Sequence, residues 1–154
     1  MVNIVPEEKS KLRLSASGWW YHEEEPFEND KVIEFFHKAI RKDKGGKYYL
    51  YNKYADKEEN VYFQVEDTAY FIEVIKFDQG QQAFNLTLNT GAREVLDVHS
   101  LEEDDRGVMY CRVLDNDRAR LTPRALSQLS EYVVMDGDLI YLDKTGEKVI
   151  LSKD

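Results

Sequence analysis

Cysteine, long apolar runs and clustered glycines are all scarce in this chain of 154 residues, and each absence excludes something. Cys111 is the only cysteine, so an internal disulfide is impossible and a reducing compartment fits. No apolar run approaches the roughly 18 residues of a membrane span, and residues 1–14 lack the apolar core of a signal peptide. The glycines form neither a dinucleotide-binding fingerprint nor a P-loop. We therefore expect a cytoplasmic protein without a recognisable catalytic motif.

Basic residues are also fewer than acidic residues. The chain has 30 acidic residues against 21 Lys and Arg, and its net charge is −9. A duplex phosphate backbone and an anionic membrane both repel such a surface, so we expect neither as a partner. We expect a small ligand or another protein as the partner, and no cofactor. The oligomeric state stays open.

An internal repeat is the main feature that the sequence does contain. Residues 21–65 and 112–152 each have the pattern of strand, turn, short strand, helix, strand, turn and strand. The apolar positions of the first predicted helix recur 94 residues later in the second, and they are Val32, Phe35, Phe36, Ala39 and Ile40, then Leu126, Leu129, Val133 and Val134. The pattern predicts an α+β fold built from two related strand-strand-helix-strand-strand repeats with antiparallel sheets.

The repeat also suggests a division of the chain. We divide it into an N-terminal leader that is partly loose (1–16), a first α+β repeat (17–77), connecting strands with an acidic loop (78–107) and a second α+β repeat (108–154). Each copy of about 40 residues is near the lower limit for folding alone, so the copies should share or abut cores. Phe36 and Leu129 are the predicted core anchors, and Cys111 is predicted to be a small core residue. Residues 52–60 are predicted to form a polar loop, and residues 144–146 a hairpin turn.

Three stretches resemble a bacterial family known only as domain of unknown function 1285. They are the sequences GWWYHE at 18–23 with PF at 26–27, VED at 65–67 with LNT at 88–90, and ARL at 119–121 with the helix after it. The chain departs from the family pattern at Glu24, Tyr70 and Pro123, where Gly, Pro and Arg are usual. The resemblance implies a duplicated α+β fold whose second half is similar to pleckstrin-homology domains. It also implies a ligand groove between the halves and a link to signalling, but no reaction and no catalytic residues.

Arg112, Arg118 and Arg120 share parity along a predicted hairpin, and Arg124 follows on the first turn of the next helix. Side chains of equal parity lie on one face of a strand, so the three hairpin arginines can act together. Guanidinium groups hold a carboxylate or phosphate by paired hydrogen bonds. Ion pairs with Asp115, Asp117 or residues 23–25 explain the same arginines, and both interpretations stay open.

Aromatic residues crowd the first copy, where they can stack a ligand or simply pack a sheet. The adjacent Trp19 and Trp20 must point to opposite faces of a strand, so at least one lies at a surface or between the repeats. We take Trp19 and Tyr21 as candidate ligand-binding residues facing the three arginines. We assign no metal site to His22 and residues 23–25, because neighbouring strand residues point apart.

These observations support a non-enzymatic module that binds a small ligand in the groove between the repeats and serves signalling. One alternative is a protein-protein interaction adaptor that uses an exposed sheet face or edge. Another is an enzyme of unrecognised type. We assign no catalytic residue, because nothing places a general base beside Cys111.

Overall fold

The computed structural model describes residues 2–136, 139–142 and 149–153. It divides the chain into two compact units, residues 1–69 and 70–154. The predicted turn at 144–146 lies outside the described residues. No helix in the described ranges is long and apolar enough to cross a membrane.

The first unit combines two sheets with two helices. Its elements are β1 (Val2–Val5), α1 (Glu7–Ser10), β2 (Leu12–Leu14), β3 (Trp20–His22), β4 (Glu25–Pro26), α2 (Asp30–Ala39), β5 (Ile40–Lys42), β6 (Tyr48–Tyr54), β7 (Lys57–Tyr62) and β8 (Gln64–Val65). The strand orders are β1-β7-β6-β5 and β4-β3-β2-β8. Two pairs, β1 with β7 and β2 with β8, are parallel, so these sheets are mixed rather than purely antiparallel as predicted. Residues 2–14, inside the predicted leader, contribute a strand to each sheet.

Helix α2 begins at an asparagine cap. The side-chain oxygen of Asn29 accepts hydrogen bonds from the backbone N–H groups of Lys31 and Val32, at 2.9 and 3.2 Å. These bonds satisfy two of the N–H groups that have no partner inside a helix, which fixes the first turn.

The apolar stripe of α2 is narrower than predicted. Phe36 packs edge-on against Trp20 and Phe27, with ring centroids 5.3 and 5.1 Å away, and is half-buried. Phe35 is 48% exposed, so it lies outside the buried part of the stripe. Ile40 is buried, but as the first residue of β5 rather than as part of the helix. The helix stops at Ala39 because the chain there joins the sheet.

The second unit is built around a larger sheet. Its elements are β9 (Tyr70–Asp78), β10 (Ala83–Leu88), β11 (Arg93–Val95), a 3₁₀ turn (Val98–Ser100), β12 (Glu102–Glu103), β13 (Met109–Val113), β14 (Asp117–Leu121), α3 (Pro123–Ser130), β15 (Val133–Asp136), β16 (Leu139–Leu142) and β17 (Val149–Lys153). The strand orders are β11-β10-β9-β14-β13-β12 and β15-β16-β17. Strands β9 and β14 pair in parallel, which joins the β9–β10 hairpin to the β13–β14 hairpin.

The larger sheet buries apolar residues mainly on one face, with Phe71 and Tyr110 buried on the other, and it curls. Buried apolar residues on that face are Ile72, Ile75, Phe84, Leu86, Leu88, Cys111, Val113, Ala119 and Leu121. The carboxylate of Glu94, on β11, accepts a hydrogen bond from the backbone N–H of Leu114 at 3.0 Å. Ser100 Oγ likewise accepts one from Arg112 N at 3.0 Å. Because β11 is not a neighbour of β13 in the strand order and Leu114 directly follows β13, the Glu94 bond shows that the sheet bends back on itself.

Helix α3 lies along the part of β9 that β14 leaves unpaired. The Gln128 side-chain oxygen accepts a hydrogen bond from the backbone N–H of Ile75 at 2.8 Å. Thr122 caps the helix: its side-chain oxygen accepts a hydrogen bond from Ala125 N at 3.2 Å. Ala125 and Leu129 are the buried residues of α3, so the predicted burial of Leu129 is confirmed.

The buried face of α3 is rotated relative to the apolar stripe that the sequence predicts. Leu126 is 36% exposed, whereas Ala125, four residues before Leu129, is fully buried. The helix ends at Ser130, and Val133 and Val134 belong to β15. Ala125 and Leu129 form an i, i+4 pair, so the two buried side chains lie on one face of the helix.

The two predicted copies share an order of elements. Residues 20–62 and 109–153 each contain a hairpin, a helix and three antiparallel strands. The sequence pattern overlooks the short strand directly after each helix, β5 and β15. The predicted loop at 52–60 is instead the end of β6, a tight turn and the start of β7. Superposition of the two copies stays a prediction.

Candidate functional site

A groove of about 700 Å³ lies on the outward face of strands β9, β10 and β11 in the second unit. Lys76, Asn85 and Val95 are register partners and form one row across the three strands. Val74, Thr87 and Arg93 form the next row. Since partners in adjacent strands point to the same face, these six side chains line the groove together.

Three cations line this groove. Lys76 comes from β9, Arg93 from β11 and Arg124 from the first turn of α3. The strands carrying Lys76 and Arg93 are two spacings apart, about 10 Å, so their side chains approach from opposite sides of β10. All three are exposed, and within the described residues none makes a side-chain hydrogen bond or ion pair. Helix α3 supplies Arg124 because it fills the open edge of β9.

One carboxylate also borders the groove. Both oxygens of Glu94 accept from the backbone N–H of Leu114, at 3.2 and 3.0 Å. This bond holds the carboxylate toward the inner side of the curled sheet. The groove therefore has a cationic excess in a chain whose net charge is −9.

The remaining lining mixes apolar and hydrogen-bonding groups. Val74 and Val95 offer methyl surface, and Val95 is 56% exposed. Asn85 and Thr87 lie between them on β10. Such a surface can take an anionic group with a short apolar body, and it contains no Ser, Cys or His that could act as a nucleophile or base.

The arginines of the predicted site lie together on the β13–β14 hairpin. Arg112 is the register partner of Arg118, and Arg120 is the partner of Tyr110, so the three share one face. Arg118 Nε donates to Glu102 Oε1 at 3.2 Å, and its guanidinium lies 3.5 Å from the centre of the Tyr110 ring. Arg112 Nη1 donates to the Asn116 carbonyl at 3.3 Å.

The aromatic candidates belong to the first unit. Trp19 is 44% exposed and Trp20 is fully buried, so the expected opposition of the two side chains is confirmed. Tyr21 lies on β3 with the Arg13 guanidinium 4.3 Å from its ring centre. The proposal that Trp19 and Tyr21 face the hairpin arginines remains a prediction.

Sequence reasoning found one of the three groove cations and missed the others. The sequence places Arg124 directly after the hairpin arginines, and it offers no comparable reason to single out Lys76 and Arg93. The alternation of apolar and polar residues in β10 places Asn85 and Thr87 outward, and this is the sequence signal that points to the outward face. The register that aligns these residues with Lys76 and Arg93 cannot be read from the sequence pattern.

The acidic turn after β3 has a simple structural role. Glu23 forms an ion pair with Lys11, with 3.0 Å between Nζ and Oε1. Among the described residues, no group of three or more His, Cys, Asp or Glu side chains is arranged to hold a metal ion.

Comparison with solved structures gives two matches along most of the chain. The first, a DUF1285 family protein from Silicibacter pomeroyi, has a TM-score of 0.65 and 16% identity, covering 99% of this chain and 83% of that one. The chain has the DUF1285 fold. A DUF1285 family protein from Shewanella baltica has a TM-score of 0.56 and 17% identity, covering 81% of this chain and 94% of that one. The DUF1285 fold supports the resemblance seen in the sequence.

Searches at the level of sequence add nothing to this. No protein-family model and no curated protein matches the chain. At identities of 16% and 17% the likeness is one of fold, so the DUF1285 fold assigns no ligand and no activity.

Proposed function

We propose that this chain is a non-enzymatic module that binds a small anionic ligand in the groove of its second unit. The observation that carries the proposal is that Lys76, Arg93 and Arg124 line one groove, and that none of them makes a side-chain hydrogen bond or ion pair within the described part of the chain. The ligand class is a molecule with a carboxylate or phosphate group and a short apolar body. The arginines bind the anion, and the valines cover the apolar part.

Charge favours a small ligand over a polymer. The chain carries −9 overall, so a polyanion that extends beyond the groove meets a repulsive surface. A single anionic group feels mainly the three nearby cations, because salt screens charges beyond about 8 Å. Exposed charge contacts contribute little each, so the affinity should be modest and should fall as salt rises.

The expected role follows the resemblance. The resemblance implies a second half similar to pleckstrin-homology domains, which favours binding over catalysis, and a signalling module needs a ligand that binds reversibly. The fold by itself does not select a ligand.

Thermal shift and calorimetry with matched probes test the proposal. Phenyl phosphate should raise the melting temperature more than inorganic phosphate does, and uncharged benzyl alcohol should leave it unchanged. The double variant Arg93→Gln/Arg124→Gln should weaken phenyl phosphate binding by about tenfold or more, since a hydrogen bond to a charged group contributes about 1.5–3 kcal/mol.

The hairpin arginines supply the control. Arg112→Gln/Arg118→Gln removes the same charge from the same unit, outside the groove lining. If this variant loses the probe and the groove variant keeps it, the ligand belongs to the hairpin face. Equal binding of benzyl alcohol and phenyl phosphate would also refute an anion site.

A further inference from the structure

A basic edge runs along one side of the first unit. We define it as Phe35 with five exposed cations, which are Lys38, Arg41, Lys42, Lys44 and Lys47. Residues 38–47 hold these five cations and one carboxylate, Asp43, a net charge of +4. The remainder of the chain therefore carries −13. The charge of this segment is therefore opposite in sign to the charge of the rest of the chain.

The basic edge includes an apolar cleft. Phe35, Lys38, Ala39, Arg41 and Tyr51 line a depression of about 190 Å³ between the end of α2 and the sheet. The Arg41 guanidinium lies 4.0 Å from the centre of the Tyr51 ring, which fixes one wall. Phe35 is 48% exposed and forms the other wall. The cleft has room for one large apolar side chain.

The basic edge also includes a strand at the border of a sheet. β5 is the outermost strand in the order β1-β7-β6-β5, and its register partners are all on β6. A border strand offers backbone N–H and C=O groups to an additional strand. Backbone groups, a side-chain cleft and a row of cations thus occur together in residues 35–47 and the neighbouring Tyr51.

We propose that the basic edge docks an extended acidic segment of a protein partner. The segment pairs with β5 through its backbone, places one apolar side chain in the cleft beside Phe35, and sets its carboxylates against Arg41 and Lys44. Opposite charge guides the encounter, and the backbone pairing and the cleft fix the register.

Three features favour a peptide over other anionic partners. A nucleic acid has no peptide backbone to pair with the border strand β5, and its length brings it against the −13 of the rest of the chain. Stable binding to a lipid surface relies on a broad apolar face, whereas Phe35 is a single exposed aromatic here. A short acidic segment satisfies the cations, the cleft and the strand border at once.

Selection from a library of short random peptides on the full chain tests this proposal. Enriched peptides should be net negative and should contain a large apolar residue. A dye-labelled copy of the strongest peptide should lose about tenfold or more in affinity, by fluorescence anisotropy, on Phe35→Ser and on Arg41→Glu/Lys44→Glu. Raising the salt concentration should weaken binding to the native chain more than to the charge variant.

Matched changes elsewhere in the first unit serve as controls. Tyr54 is 46% exposed, so Tyr54→Ser removes an aromatic of similar exposure, and Lys53→Glu/Lys57→Glu makes the same charge change on exposed residues. Both controls should keep the peptide affinity of the native chain. If Phe35→Ser lowers the melting temperature, the charge variant decides the test, because Arg41 and Lys44 are exposed.

Four results would overturn the proposal. The first is enrichment of neutral or basic peptides, or of no peptide. The second is equal loss of peptide affinity in the control variants.

The third is tighter binding of a thymidine oligonucleotide or of phosphatidylserine vesicles with the same dependence on Arg41 and Lys44, which would assign the basic edge to that partner. The fourth is a dimer in sedimentation that Phe35→Ser abolishes, which would assign it to a second copy. None of these results bears on the groove of the second unit.

Discussion

The indole Nε1 of Trp20 donates a hydrogen bond to Nδ1 of His37 across 3.4 Å, which joins β3 to α2. The indole is fully buried, and its ring lies edge-on to the imidazole with centroids 5.7 Å apart. Burial lowers the pKa of His37 to about 4, against a smaller opposing effect of a backbone hydrogen bond with Gly18. His37 is therefore neutral at pH 7, which leaves Nδ1 able to accept.

The pH dependence of stability should reveal this pair. The pKa of His37 is about 4 in the folded chain and about 6.5 when unfolded, so the unfolded state binds more protons between these values. Stability should fall by about 2–3 kcal/mol as the pH drops from 6.5 to 4, and this contribution should then level off. Urea midpoints of the native chain and His37→Gln, measured from pH 7 to pH 4, isolate the effect. Parallel curves for the two proteins would contradict it.

Leu129 and Leu126 make a matched pair on α3. Leu129 is 1% exposed and Leu126 is 36% exposed. We expect Leu129→Ala to lower the free energy of unfolding by about 2–5 kcal/mol, because it leaves a cavity. Leu126→Ala removes the same atoms at the surface and should cost less than about 1 kcal/mol. Chemical denaturation of both variants measures the difference, and similar losses would show that the burial of α3 is misassigned.

Cys111 should be unreactive in the folded chain. Burial, with Glu94 and Asp97 nearby, raises the pKa of its thiol to about 12. The nucleophile is the thiolate, so Ellman's reagent at pH 8 should label Cys111 only after denaturant is added. Ser127 is exposed on α3, and a Cys111→Ser/Ser127→Cys variant should react at once. Rapid labelling of the native chain would mean that the inner face of the sheet opens readily.

Arg118 and Arg112 should differ in their effect on stability. Arg118 covers Tyr110, which is fully buried, and pairs with Glu102. Arg118→Ala should therefore lower stability by about 1 kcal/mol, through lost cation–π contact and packing. Arg112→Ala should be neutral or slightly stabilising, because it removes a like charge directly opposite Arg118. Melting temperatures of the two variants at low salt check the order, and a larger loss in Arg112→Ala would reverse this account.

Local sequence rules were enough for several features. Asn29 and Thr122 begin helices because their side chains accept bonds from the N–H groups that follow a few residues later. The opposition of Trp19 and Trp20 follows from the two-residue period of a strand. The buried position of Cys111 follows from its alternation with Met109 and Val113. Each of these needs information from only a few neighbouring residues.

Packing decided which apolar residues are covered. The sequence marks Phe35 and Leu126 as members of helical stripes, yet both are exposed. A stripe more than 100° wide contains residues at its margins, and the partner surface selects among them. On α3 the close approach of β9 selects Ala125 and Leu129. No periodicity within the helix could reveal that choice.

The groove depends on tertiary structure. The sequence by itself determined that β10 alternates, that Arg124 begins a helix, and that the chain is acidic. Only the pairing of β9, β10 and β11 aligns Lys76 with Asn85 and Arg93 with Thr87. Only the docking of α3 against the unpaired edge of β9 adds Arg124. Register and docking depend on contacts between residues far apart in the chain, and local patterns do not encode them.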